Sequence, residues 1–218
     1  MSSCCCQGAN EVFGARTARH DLRRYRRRGP SRPTRVLLEA IRSEGIERAT
    51  VLDIGGGIGA IPQELLAAGA ERATSVEASA AYLRAAREEA ALRGTAGRMS
   101  YHEGDFVALA DGIEPADVVT LDRVICCYPD VEALVGRSAE RAGRLYGLVY
   151  PRDTWWVRLG IATTNLGMRL ARRVYRAYAH RPSTVDAEAR RRGLEPRLRR
   201  GVGPFWQVAL YTRDPAVG

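Results

Sequence analysis

Lysine is absent from this 218-residue chain, and all 34 basic residues are arginine. Against 25 acidic residues they leave a formal charge of +9. Such a balance invites a polyanionic partner. No base-reading motif accompanies it, however, and the arginine bias beside abundant alanine and glycine reads as codon composition. Nucleic acid is therefore not expected. No uninterrupted apolar stretch approaches a membrane span, and the N-terminus lacks the apolar core of a secretory signal. Cys-x-x-Cys spacing is missing too: the five cysteines fall in two runs, Cys4-Cys5-Cys6 and Cys126-Cys127. An odd number without an export signal argues against a disulfide framework. Adjacent cysteines also lack the usual zinc spacing, so a reduced, cytoplasmic protein with no metal is expected. The first run could bind a soft metal or help cap a pocket, but a loose N-terminal tip is the simpler expectation.

What the sequence does contain is organised around Val51-Leu52-Asp53-Ile54-Gly55-Gly56-Gly57-Ile58-Gly59. A short apolar run ends in an acid, a glycine loop follows, and Ile61 onward reads as a helix with Pro62 in its first turn. Strand, glycine turn and helix form the unit that carries a nucleotide at the carboxyl edge of a parallel sheet. Gly55-x-Gly57-x-x-Ala60 formally satisfies the dinucleotide fingerprint, so NAD competes for the loop. Asp53 argues otherwise, because a carboxylate there suits the ammonium of a methionine moiety better than a diphosphate. In these residues the chain resembles the class I S-adenosylmethionine (SAM)-dependent methyltransferases, whose first motif is Asp-x-Gly-x-Gly-x-Gly. Asp53, Gly55, Gly57 and Gly59 match its fixed positions. The resemblance implies SAM as cofactor.

Strands and helices alternate along the rest of the chain. Thr50–Ile54, Thr74–Glu77, Met99–His102, Asp117–Leu121 and Leu145–Tyr150 read as strands, with helices over 61–68, 80–92 and 131–142 between them. This repetition predicts an α/β fold, a doubly wound Rossmann-like sheet with helices on both faces. Glu195–Arg199 and Trp206–Thr212 predict a terminal hairpin, and the class I methyltransferase sheet has an antiparallel last strand there. The organisation expected is an N-terminal arm and helical cap over residues 1–44, then a SAM-binding domain over 45–218. The resemblance implies a cap that closes over the cofactor, which makes Tyr25 a candidate lid residue, with ordinary packing as its alternative. Residues 152–192 are expected to form an inserted helical lid. There Trp155, Leu159, Thr163, Leu166 and Leu170 recur at helical spacing, beside Arg158, Arg169, Arg172 and Arg173. A core-packing helix and a helix lying on a membrane surface compete with the lid. The lid is favoured over peripheral membrane contact, because a sulfonium needs shelter from water.

Glu77 closes the second strand, where a carboxylate can accept both ribose hydroxyls of either cofactor. Gly104-Asp105-Phe106 follows the third. The methyltransferase resemblance implies that Asp105 takes the adenine amino group, with Phe106 and its backbone flanking the base. Asp122 follows the fourth strand and joins this cofactor set. With Arg123 and Tyr128 it could also orient the acceptor, Arg123 pairing an acidic group. The stretch ending in Tyr128-Pro129-Asp130, and His180 to Gly193, resemble the corresponding parts of magnesium-protoporphyrin O-methyltransferases. That likeness spans roughly residues 45–212, and the cysteine run and arginine-rich cap depart from it. An Asn/Asp-Pro-Pro-Tyr box, which marks base and amide N-methylation, is absent after the fourth strand. Methyl transfer from a sulfonium rests mostly on positioning, and a base is needed only for a hydroxyl or amine acceptor. His102 and His180 are the neutral-pH candidates, His180 the better placed. The expectation is methylation, most simply at oxygen, of a small, partly apolar acceptor. N- or C-methylation and a non-catalytic SAM-binding partner are the alternatives. Oligomeric state is not readable.

Overall fold

The apolar run at Val51 becomes the centre of a seven-stranded sheet in the computed structural model, which describes residues 13–213. Cys4, Cys5 and Cys6 lie outside the described residues. Thr50–Ile54 (β1) pairs in parallel with Arg72–Glu77 (β2) on one side and Ala116–Asp122 (β4) on the other. Met99–Glu103 (β3) extends the sheet beyond β2, and Ala142–Pro151 (β5) extends it beyond β4, both in parallel. Leu194–Val202 (β6) and Trp206–Arg213 (β7) form the hairpin. β7 inserts antiparallel beside β5, giving the order β3-β2-β1-β4-β5-β7-β6. β5 outruns the expected strand at both ends: Ala142 pairs with Ala116 of β4 at its start, and β7 pairs with it as far as Pro151↔Trp206 at its end. The direction of chain progression reverses between β1 and β4, and their carboxyl ends splay a crevice there.

Both sheet faces are covered. Phe106–Leu109 (α5), Val131–Glu140 (α6) and Pro182–Arg191 (α8) bury Phe106, Leu134, Val185 and Ala189 on one face, against Val119, Leu121, Tyr146 and Tyr150. Arg32–Ser43 (α2) and Ala60–Ala67 (α3) bury Leu37, Ile41 and Leu65 on the other, against Val51, Val118 and Leu145. Ala15–Arg28 (α1) does not reach the sheet. Its Ala18, Leu22 and Tyr25 pack on Tyr82 and Ala85 of Ala80–Leu92 (α4), as a cap over the glycine loop. Gly29, at φ 68°, and Pro30 end α1. Ser31 then starts α2, accepting from the Thr34 N–H at 3.5 Å, with Pro33 in the first turn.

The expected lid over 152–192 is not one unit. Residues 182–191 form α8, whose Val185 and Ala189 are fully buried between α6 and the sheet. It is the helix that leads into β6, a role its short apolar stripe did not distinguish from an insertion. Trp155–Leu170 (α7) stands off the core and buries only Val157 and Ile161.

Candidate active site

The carboxyl ends of β1, β2 and β4 open onto two adjacent cavities. The larger, about 390 Å³, is lined by Glu77, Asp105, Phe106, Tyr128, Phe13 and Tyr175, among others. The smaller, about 130 Å³, lies under the cap and is lined by Arg24, Tyr25, Ser31, Thr34 and Asp53, with others. Asp21, Gly55, Gly57, Tyr82, Asp122 and Arg123 wall both and mark where they meet.

The loop that joins them is held from several directions. Gly55, Gly57 and Gly59 have φ of 65°, 55° and 76°, the left-handed region that favours glycine. Gly57 donates its N–H to Glu77 Oε2 at 2.9 Å, and Ser79 donates to Oε1 at 2.8 Å. Glu77 thus pins the loop as well as facing the cavity. Burial pushes its carboxyl pKa up, against the backbone N–H groups of Ser79, Gly57 and Ala78. Gly56 matters for a different reason. A Cβ there would lie 2.4 Å from Ser75 Oγ and 2.8 Å from Asp53 Oδ2. These two oxygens are buried side by side with no hydrogen-bond partner. Asp53 Oδ1 is satisfied by Thr120, whose hydroxyl donates at 2.7 Å. Burial, with Asp122 and Glu77 nearby, pushes the Asp53 carboxyl up to about 8. A buried carboxylate oxygen without a donor, beside a cradle that a methyl group would fill, fits a cationic ligand group better than a phosphate.

Asp105 caps α5, accepting from the Val107 N–H at 3.0 Å, and its second oxygen accepts from the Tyr128 hydroxyl at 3.2 Å. Phe106 lines the cavity from the core, 4% exposed, so its ring is held more by packing than by an open face. Asp122 accepts from the Thr34 hydroxyl at 2.6 Å, tying β4 to α2, and is paired with Arg123 at 3.0 Å. Arg123 has φ 63°, a strained conformation for a residue with a Cβ, and its N–H donates to the Val149 carbonyl at 2.8 Å. Cys127 lies on the larger cavity, 3.8 Å from Cys126 Sγ and 3.1 Å from the Tyr175 hydroxyl. The hydrogen bond with Cys126 lowers its thiol pKa, and Tyr175 adds to that.

His180 is not at the junction. It lines neither cavity; its Nε2 donates to the Tyr128 carbonyl at 2.8 Å, and its ring stacks on Tyr178. Burial holds its pKa below the usual imidazole range. It fastens the chain after α7 to the loop after β4, a positioning role that no spacing in the sequence revealed. His102 on β3 lines neither cavity either. Tyr25 faces the smaller cavity while donating to Glu64 at 2.9 Å, so it packs the cap and walls the cavity at once. Sequence reasoning missed Asp21, which accepts from Tyr82 at 2.6 Å, and also Thr34, Ser75 and Gly56. Only Gly56 carried a signal, as an extra glycine inside the motif. Among the described residues no cluster of three or more metal-ligating side chains occurs, and no helix is long and apolar enough to cross a membrane.

A parallel sheet with an antiparallel last strand, a glycine loop after β1, and acids at the ends of β1, β2 and β4 define a class I SAM-dependent methyltransferase. The comparisons agree. Residues 51–141 match the family described as a methyltransferase domain, so the chain is a SAM-dependent methyltransferase with SAM as cofactor. No curated protein sequence matches it. Its fold is similar to that of magnesium protoporphyrin IX methyltransferase from Synechocystis PCC 6803, a structure with bound S-adenosylhomocysteine (SAH). The TM-score is 0.66 at 18% identity, over 84% of this chain and 81% of that one. An O-methyltransferase family protein from Burkholderia thailandensis gives 0.70 at 16%, over 94% and 63%. Mitomycin 7-O-methyltransferase gives 0.57 at 24%, over 76% and 49%.

Proposed function

We propose that the chain methylates an oxygen of a small, partly apolar acceptor held where the two cavities meet. The observation that carries this reading is the junction itself. Nucleoside-type partners (Glu77, Asp105) lie in the larger cavity, and Arg123 with Asp122 stands between it and the polar chamber under the cap. SAM supplies an activated methyl group, which leaves positioning as the protein's main task. Arg123 can pair an acidic group of the acceptor. Asp122 and Asp21, the carboxylates that wall both cavities, are the candidates to take a proton from a hydroxyl; a carboxylate acceptor needs neither. The missing Asn/Asp-Pro-Pro-Tyr box after β4, where Asp122-Arg123-Val124-Ile125 stands, supports oxygen over an amide or base nitrogen. O-methyltransferases among the similar folds support it as well. The small chamber favours a compact acceptor over a macrocycle.

The test incubates the chain with methyl-labelled SAM and panels of hydroxyl-, carboxyl- and amine-bearing small molecules. Formation of SAH and the bond in the product are read by mass spectrometry. Methyl ethers or esters are expected, and Arg123→Met should cut kcat/KM for acidic acceptors by about a hundredfold, the scale of a lost charge-assisted contact. Products methylated only at nitrogen would overturn the assignment.

A further inference from the structure

Helix α7 is apolar on two opposite sides. Val157 and Ile161 face the protein, 1% and 7% exposed. Trp155, Leu159, Leu166 and Leu170 fall within about 60° of arc on the other side at 3.6 residues per turn. They are 72%, 56%, 57% and 77% exposed, and Trp156 borders them. The row runs about 22 Å along the helix. An open apolar row of that length marks a contact surface.

The helix cannot turn this row onto the cavities without breaking its own ties. Trp156 Nε1 donates to the Pro204 carbonyl at 3.3 Å near one end. Towards the other, the Asn165 amide donates to the Ala177 carbonyl at 2.7 Å and accepts from the Ala177 N–H at 2.8 Å. No α7 residue lines either cavity. The lid reading therefore lacks its geometry, and the row faces away from the active site.

Charge selects the occupant. Between Asp153, which pairs with Arg158 at 2.6 Å, and Asp186 the chain has no Asp or Glu, while Arg169, Arg172, Arg173, Arg176 and Arg181 add positive charge beyond that pair. A second copy docked on this face would set arginine against arginine. Anionic headgroups complement them, while tryptophan at the helix start suits the boundary between headgroup and acyl chain. We propose that α7 docks the chain on an anionic lipid bilayer, the Trp155–Leu170 row entering the interface and the flanking arginines meeting phosphate groups. The chain lies on the surface and does not span it.

Cosedimentation of the full-length chain tests this, using phosphatidylcholine vesicles with and without an equal part of phosphatidylserine. Binding to the mixed vesicles should exceed binding to the neutral ones by about tenfold and be released by molar salt. Leu159→Gln/Leu166→Gln/Leu170→Gln, substitutions on the open face, should lose that binding. Its circular dichroism and its SAH affinity by calorimetry should stay unchanged, which separates lost docking from misfolding. Arg169→Gln/Arg172→Gln should weaken binding and flatten its salt dependence. Equal sedimentation with both vesicle types, or a triple variant that binds like the parent, overturns the proposal. So does a lipid-indifferent dimer that the triple variant dissociates, since the occupant is then a second copy. None of these readings depends on turnover or on the acceptor.

Discussion

Glu77 shows how one side chain can serve two ends. Its two oxygens accept from Gly57 and Ser79, so it fixes the loop conformation that the cofactor needs while standing on the cavity wall. Replacing it with alanine removes the wall contact and leaves both N–H groups without that acceptor. SAH affinity of Glu77→Ala should fall by on the order of 1.5–3 kcal/mol, the range for hydrogen bonds to a charged group. Calorimetry reads this directly, and an unchanged affinity would show that Glu77 takes no part in binding. Gly56 is the more demanding residue. It occupies a variable position of the motif, yet a methyl group there would press on Asp53 and Ser75, neither of which is a flexible chain end. Gly56→Ala should therefore lose SAH binding at least as fully as Glu77→Ala, with a lowered melting temperature. A variant that binds normally would mean that the loop relaxes at little cost.

The cap works as an element, through few bonds. α1 is joined to the cofactor domain by Asp21 accepting from Tyr82, Tyr25 donating to Glu64, and Arg26 paired with the buried Glu89 at 2.7 Å. Tyr25→Phe deletes one of these and keeps the ring that packs on α4, so its cost should be about 0.5–1.5 kcal/mol in urea unfolding. Asp21→Asn disturbs the cavity wall as well, and should weaken SAH binding more than Tyr25→Phe does. Equal binding by both variants would separate the cap from cofactor retention. The cap helices were legible as basic and amphipathic segments, and the strands as apolar runs bounded by turn residues. The hairpin was legible from two β-rich stretches around Gly203-Pro204. Less of the site was legible, because its contacts are long-range. Thr120 reaches Asp53 across 67 positions and Thr34 reaches Asp122 across 88, separations over which no local period runs. His180 reads as a free base in sequence only because its partner is a backbone carbonyl. α7 misleads for a related reason: spacing reports that a face is apolar, but not whether it is covered.

At the scale of the whole molecule, the buried Asp53 ties folding to pH and to the cofactor. Its carboxyl is pushed up to about 8 in the folded chain, against an ordinary value near 3.8. Between those values the folded state keeps a proton that the unfolded state has released, so stability falls as pH rises and levels off above about 8. His180 contributes the opposite slope, since its lowered pKa makes the unfolded state bind the proton, but that slope ends near pH 6.5. The thiols of Cys126 and Cys127 shift in opposite directions and remain in an Asp53→Asn variant. The melting temperature of the free protein should thus decline from pH 7 to 8.5 more steeply than that of Asp53→Asn. An ammonium group brought to Asp53 favours the carboxylate, so SAH should bind more tightly as pH approaches 8. At one fixed SAH concentration, a hundred times the Kd at pH 8, the ligand adds about 2.7 kcal/mol at that pH, or roughly 5–10 °C for a domain of this size. That rise should be larger at pH 8 than at pH 6.5, and nearly independent of pH in Asp53→Asn. Parallel melting profiles for parent and variant, with and without SAH, would remove Asp53 from both roles and leave the unpartnered oxygen beneath Gly56 without an explanation.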